Sequence, residues 1–164
     1  MSDSHSIPNV DEATVQSLIE GLQDGATVKE LKGVSDDLLE GIYAFAHRFY
    51  SSGQLEEAEA FFRFLCLYDF YNGEYALGLG AVHQMKGEYQ RAIDMYALAY
   101  ALLRADYRPM LHTGQCQLAL GKVSLARECF DIVITHAKDA SHVARATAYL
   151  QAIAQADSPP EKDE

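Results

Sequence analysis

Apolar residues along this chain fall on helical rather than strand spacing. Over 36–51, 55–68, 73–85, 89–103, 109–120 and 123–136 they recur mostly three or four positions apart, which gathers them on one face of an α-helix, and short breaks separate the stretches. Two flanking stretches behave alike: Val15, Leu18, Ile19 and Leu22 form a stripe on a helix over 11–24, and Val143, Ala146, Thr147, Leu150 and Ile153 form another over 140–156. The pattern predicts an all-α protein. Start signals agree with it. Ser35 and Asn72 stand where N-caps belong, Thr27 with Glu30 makes a capping box, and Pro109 occupies a first turn, where its missing N–H costs nothing.

The stretches repeat with a period of 34 residues. Gly53, Gly87 and Gly121 keep that interval, as do Ala58, Ala92 and Ala126, then Phe62, Tyr96 and Phe130, then Ala46, Gly80 and Gly114. Each column has a task in a helix–turn–helix unit. The tiny residue on the first helix and the alanine on the second let two backbones approach where they cross. The glycine ends the first helix in a left-handed conformation, and the aromatic residue fills space towards the next unit. A lone amphipathic bundle has no reason to keep four columns in register. The columns resemble the tetratricopeptide repeat, with two departures: Ile42, Ala76 and Met110 stand where one bulky residue is usual, and no proline closes a unit.

The expected organisation is a disordered N-terminus at 1–10, an N-terminal helical segment at 11–35, three tetratricopeptide-like helix-turn-helix repeats at 36–138, a C-terminal capping helix at 139–156 and an acidic tail at 157–164. A short array needs covered ends, because a terminal unit otherwise exposes an apolar face. The stripe of Val15, Leu18, Ile19 and Leu22 must therefore bury itself, either on the first repeat as a cap or on a second copy as a dimer contact.

Charge and composition narrow the function. The chain of 164 residues carries a net charge of −11, with 49% apolar and 23% charged residues, which is globular usage without a basic field for nucleic acid or an anionic membrane. No export signal or run of eighteen apolar residues is legible, and Cys66, Cys116 and Cys129 lack CxxC spacing, so a reducing cytoplasm is expected without cofactor or disulfide framework. Catalytic groups do not converge. Glu56, Glu57 and Glu59 open a helix, where carboxylates favour its dipole and face water. His112 and Cys116 have i, i+4 ligand spacing but no third or fourth ligand nearby, and Cys66 sits in an apolar run as a small hydrophobe. No catalytic residue, metal or cofactor is expected.

Stacked helix pairs of this kind present their first helices to a concave surface. If positions 42, 45, 46 and 49 face the partner helix, then 43, 47 and 50 face the concavity, and the period extends them. The groove then consists of Tyr43, His47 and Tyr50, then Leu77, Ala81 and Gln84, then Leu111, Gln115 and Leu118. Such a groove suits an extended peptide with spaced apolar side chains, whose backbone the Gln and His tips hydrogen-bond. Capture of a chain-terminal carboxylate is disfavoured, since Arg108 at the mouth is the one cation offered.

Three segments carry a further resemblance: Asp24-Gly-Ala-Thr-Val-Lys-Glu-Leu31, Glu59-Ala-Phe-Phe-Arg-Phe-Leu-Cys-Leu-Tyr-Asp-Phe-Tyr-Asn72 and His112-Thr-Gly-Gln-Cys-Gln-Leu118. They are similar to the class II chaperones of type III secretion, and within them to the invasion-type members, over about residues 12–156. The resemblance implies a bacterial cytoplasmic chaperone that binds two hydrophobic translocator proteins and keeps them soluble before export. It also implies a homodimer through the N-terminal helix, a proline-flanked client segment in the groove, and a second role as co-activator of an AraC-type transcription factor. The alternative reading of the residues is a general tetratricopeptide scaffold that joins folded cytosolic proteins.

Overall fold

A computed structural model describes residues 33–157, which form seven helices and, among the described residues, no strand. They are α1 (Asp36–Ser51), α2 (Leu55–Tyr68), α3 (Gly73–Met85), α4 (Tyr89–Leu103), α5 (Arg108–Ala119), α6 (Val123–His136) and α7 (Ala140–Asp157). Helices pack in chain order, α1 with α2, α3 with α4 and α5 with α6, and each pair packs on the next, with α7 closing on α6. Direct contacts of α1 with α3 and of α5 with α7 put these first helices side by side. The N-terminal segment 11–32 and its stripe, with the tail beyond Asp157, lie outside the described residues.

One turn chemistry is used three times. Gly53, Gly87 and Gly121 have φ of 76°, 76° and 72°. Their N–H groups donate to the carbonyls of Tyr50, Gln84 and Leu118, and the next N–H in each turn reaches back to Phe49, His83 and Gln117 at 2.9 Å. This is the Schellman closure of a helix. A Cβ on these glycines would meet nothing within 4 Å, so backbone conformation rather than space demands glycine here. At the other ends, Ser35 Oγ accepts the Leu38 N–H, Asn72 Oδ1 accepts the Glu74 N–H and Asp139 Oδ1 accepts the Ser141 N–H.

The small and aromatic columns interlock. Ala46, Ala58, Ala92 and Ala126 are wholly buried. A Cβ on Gly80 would lie 2.7 Å from the Tyr96 ring, and one on Gly114 would lie 2.5 Å from that of Phe130. Each aromatic also reaches the following unit. Phe62 presses on Gly78, Tyr96 stacks on His112 with ring centroids 5.3 Å apart, and Phe130 stacks on Tyr149 at 4.8 Å. The core is accordingly a string of clusters, one centred on Phe62 and Leu65, one on Tyr96, and one on Phe130 beneath α7. That is the quasi-linear construction of a repeat array.

Phe45 departs from its expected place against α2: it is 50% exposed, while Phe49 reaches α2 and meets Phe61 at 5.2 Å between centroids.

Candidate peptide-binding groove

The expected groove residues fall on α1, α3 and α5 and take unequal roles. On α1, the Tyr43 ring meets His47 edge-on at 4.5 Å, and both lean on Phe62, at 6.0 Å and 5.4 Å. His47 is exposed, and Tyr43 and Tyr50 are half-buried. Burial, then the neighbouring Glu74, pushes the Tyr43 phenol above its ordinary value, so it stays a neutral donor. On α3, Leu77 and Ala81 are half-buried, and Leu77 rests on the cluster of Ala92, Tyr96 and Cys116. Leu118 of α5 is also half-buried.

Two expectations need correction. Leu111 does not line the groove: it is 0% exposed and belongs to the core with Ala126, Phe130 and Ala146. The cause is α7, which closes over the third unit and turns a position that is half-exposed in units one and two into an interior one. Gln84 and Gln115 are likewise not free tips. Tyr96 Oη donates to Gln84 Oε1 at 2.7 Å, Gln84 Nε2 donates to Gln115 Oε1 at 3.1 Å, and Gln115 Nε2 donates to Tyr149 Oη at 3.1 Å. This ladder ties α3, α4, α5 and α7 together. Each amide keeps a second N–H hydrogen beyond these bonds. His112 joins the ladder through Nδ1, 3.1 Å from Gln115 Oε1, and burial holds its pKa below the ordinary value.

The column runs on into one more helix, which sequence reasoning left out. Adding 34 once more to 111, 115 and 118 gives Arg145, Tyr149 and Ala152 on α7, and the Gln115–Tyr149 bond shows that this helix continues the column. Extending the period would have found it.

Arg108 and Lys86 are spent on neighbouring carboxylates. Arg108 lies between Glu74 and Asp106, with Nη2 at 2.5 Å from each and Nε 2.8 Å from Asp106, so its charge is neutralised within the protein. Burial alone would raise Asp106, but the guanidinium and the Arg108 backbone N–H hold it below its ordinary value. Glu59, expected to face water, instead has only 12% of its side chain exposed and accepts from Lys86 Nζ at 2.6 Å. Lys86 also reaches Glu56 at 2.9 Å. Glu59, His83 and Glu88 bring three potential ligand atoms within 4.8 Å, yet the Lys86 ammonium sits among them and His83 Nδ1 is 2.6 Å from Glu88. The cluster is an ion-pair network. Cys116 is buried against Tyr96, and burial pushes the Cys66 and Cys116 thiols up to about 11, far from a nucleophilic thiolate at neutral pH. Among the described residues no helix is long and apolar enough to cross a membrane.

Comparison with known proteins agrees with this architecture. The tetratricopeptide repeat family model matches residues 39–72 and 74–106. The chain is 48% identical over 151 residues to the chaperone protein SicA of Salmonella typhimurium, covering 92% of each. Among solved structures, the type III secretion translocator chaperone SycD of Yersinia enterocolitica superposes with a TM-score of 0.73 at 30% identity, covering 77% of this chain and 98% of that one. PcrH in complex with the chaperone-binding region of PopD gives 0.71 at 32%, covering 77% and 98%.

Proposed function

This chain belongs to the translocator-chaperone family of type III secretion, and from that premise we propose that it binds hydrophobic translocator proteins of such a system through its concave groove. The observation that carries this reading is the partly exposed stripe of Tyr43, Tyr50, Leu77 and Leu118, a row of apolar anchors beside a fixed polar floor. Its physical task is to cover a client segment that would otherwise aggregate or insert into a membrane before export. Each buried anchor contributes about 1.5–3 kcal/mol, while association itself costs at least about 4 kcal/mol. Groove contacts alone therefore give modest affinity, and tight sequestration calls for a second, linked contact. The acidic net charge of −11 keeps a complex with an apolar client in solution.

Co-expression with each of two candidate translocators tests this. A client that becomes soluble in a defined complex, and returns to the pellet with the Leu77→Glu variant, supports the groove. A client whose solubility ignores the chaperone refutes it. The scaffold alternative predicts folded partners that are soluble unaided.

The same reading includes the bacterial cytoplasm as location, non-enzymatic action and a homodimer through Val15, Leu18, Ile19 and Leu22. It further includes binding to an AraC-type transcriptional activator in competition with the client. Linkage requires that client and activator then weaken each other by the same factor. A stable ternary complex would exclude a shared groove, and DNA binding by the purified chaperone would exclude the indirect route.

A further inference from the structure

The rim of the groove changes sign along the array. Positions 40, 74, 108 and 142, one on each first helix, are Glu40, Glu74, Arg108 and His142. At the basic end a cavity of about 520 Å³ opens between the α4–α5 connection and the start of α7, lined by Arg104, Asp106, Arg108, Lys138, Asp139 and His142 together with neighbouring backbone.

Its two acids are already committed. Asp106 accepts the backbone N–H and the guanidinium of Arg108. Asp139 caps α7, accepting the Ser141 N–H at 2.8 Å and the Ser141 hydroxyl at 2.6 Å. Both helix starts are thus satisfied from within. Arg104 and Lys138 are exposed and make no ion pair among the described residues. The cavity wall thus holds Arg104, Arg108 and Lys138 against two carboxylates, and Arg104 and Lys138 are the cations left without a partner there among the described residues. Its wall is also held in an unfavourable shape. Arg104 and Ala105, with φ of 30° and 60°, are the non-glycine residues of positive φ among the described ones. The repeat-equivalent residues Phe70 and Tyr71 are not among them. A strained backbone that presents a free cation at the mouth of a groove is a feature of binding sites rather than of packing.

We propose that this cavity is a carboxylate-binding subsite continuous with the groove, taking an Asp or Glu side chain that flanks the client's apolar segment. The inference rests on the groove reading above and adds direction to it: the client's acidic flank lies over α5 and α7. In units one and two the rim position stands about one helical turn, roughly 5.4 Å, before an anchor, Glu40 before Tyr43 and Glu74 before Leu77, and the period carries that rim to Arg108 and His142 on the cavity wall. Glu40, at the other end of the rim, disfavours the reversed orientation.

The test uses the full chain and fluorescently labelled peptides from the PopD chaperone-binding region, extended at one end or the other by Glu-Glu or by Gln-Gln. At low salt, Glu-Glu at one end only should strengthen binding by roughly threefold to tenfold over Gln-Gln. That preference should vanish in the Arg104→Gln/Lys138→Gln variant, whose replaced side chains are exposed and leave the fold intact. It should also vanish near 1 M salt, where charges are screened beyond about 3 Å. Equal binding of Glu-Glu and Gln-Gln peptides, or a preference that survives in the double variant, overturns the subsite. Failure of the Gln-Gln peptides to bind, or binding indifferent to Leu77→Glu, overturns the groove reading instead.

Discussion

Gly78 of α3 lies so close to Phe62 of α2 that a Cβ in its place would stand 2.2 Å from the ring's Cε1. This contact joins the first unit to the second, and the ring is wholly enclosed, with 1% of its surface exposed. Gly78→Ala gains about 1 kcal/mol of helix propensity, but overpacking a rigid ring costs about 1–3 kcal/mol. A net loss of roughly 1 kcal/mol is expected in urea unfolding. Unchanged stability would show that Phe62 has room to retreat.

Leu77 and Leu111 are equivalent by the period and opposite by structure. Leu77→Glu should leave helical content and unfolding midpoint near native while weakening client binding more than tenfold. Leu111→Glu places a carboxylate in an interior with 0% exposure and should cost more than about 4 kcal/mol, enough to unfold the third unit. Circular dichroism and peptide titration of the two variants separate these outcomes. Equal behaviour contradicts the placement of Leu111.

The amide ladder makes a coupling prediction. Gln115→Leu leaves Gln84 Nε2 and Tyr149 Oη without their partner and should destabilise by about 1–3 kcal/mol. Adding Gln84→Leu should cost less than its own single effect, because the stranded Gln84 donor is then removed. Strict additivity in the double-mutant cycle would mean that the two amides do not interact.

The Lys86 network predicts a pH dependence. The hydrogen bond from Lys86 holds the Glu59 carboxyl below its ordinary value of 4.5. A group whose folded pKa is lower than its unfolded one stabilises the fold above the unfolded value and loses that contribution as pH falls through the folded one. Stability should therefore decline on acidification below 4.5, and Glu59→Gln should flatten this limb while lowering stability at neutral pH. Identical acid limbs in the two proteins would assign the effect to other carboxylates.

For the N-terminal stripe, Leu18→Glu with Ile19→Glu should yield a folded monomer by light scattering. Loss of the helical signal instead identifies the segment as a cap on the repeats.

What the sequence determined by itself was the local and the periodic. Left-handed glycines at 53, 87 and 121, the caps at Ser35 and Asn72, and the helix bounds within one residue follow from backbone preferences that act over a few positions. The period also showed small residues at 46, 80 and 114 and aromatic ones at 62, 96 and 130, but not that Gly80 meets Tyr96 and Gly114 meets Phe130 within their own units. Tertiary structure decided where the period breaks. Leu111 is interior because α7 folds over its position. Gln84, Gln115 and Tyr149 find one another, and Arg108 finds Glu74, across helices separated by about one repeat. Hydrophobic spacing reports which face of a helix is apolar. It does not report which polar atoms meet over the groove, because that depends on the angle and depth at which whole helices pack.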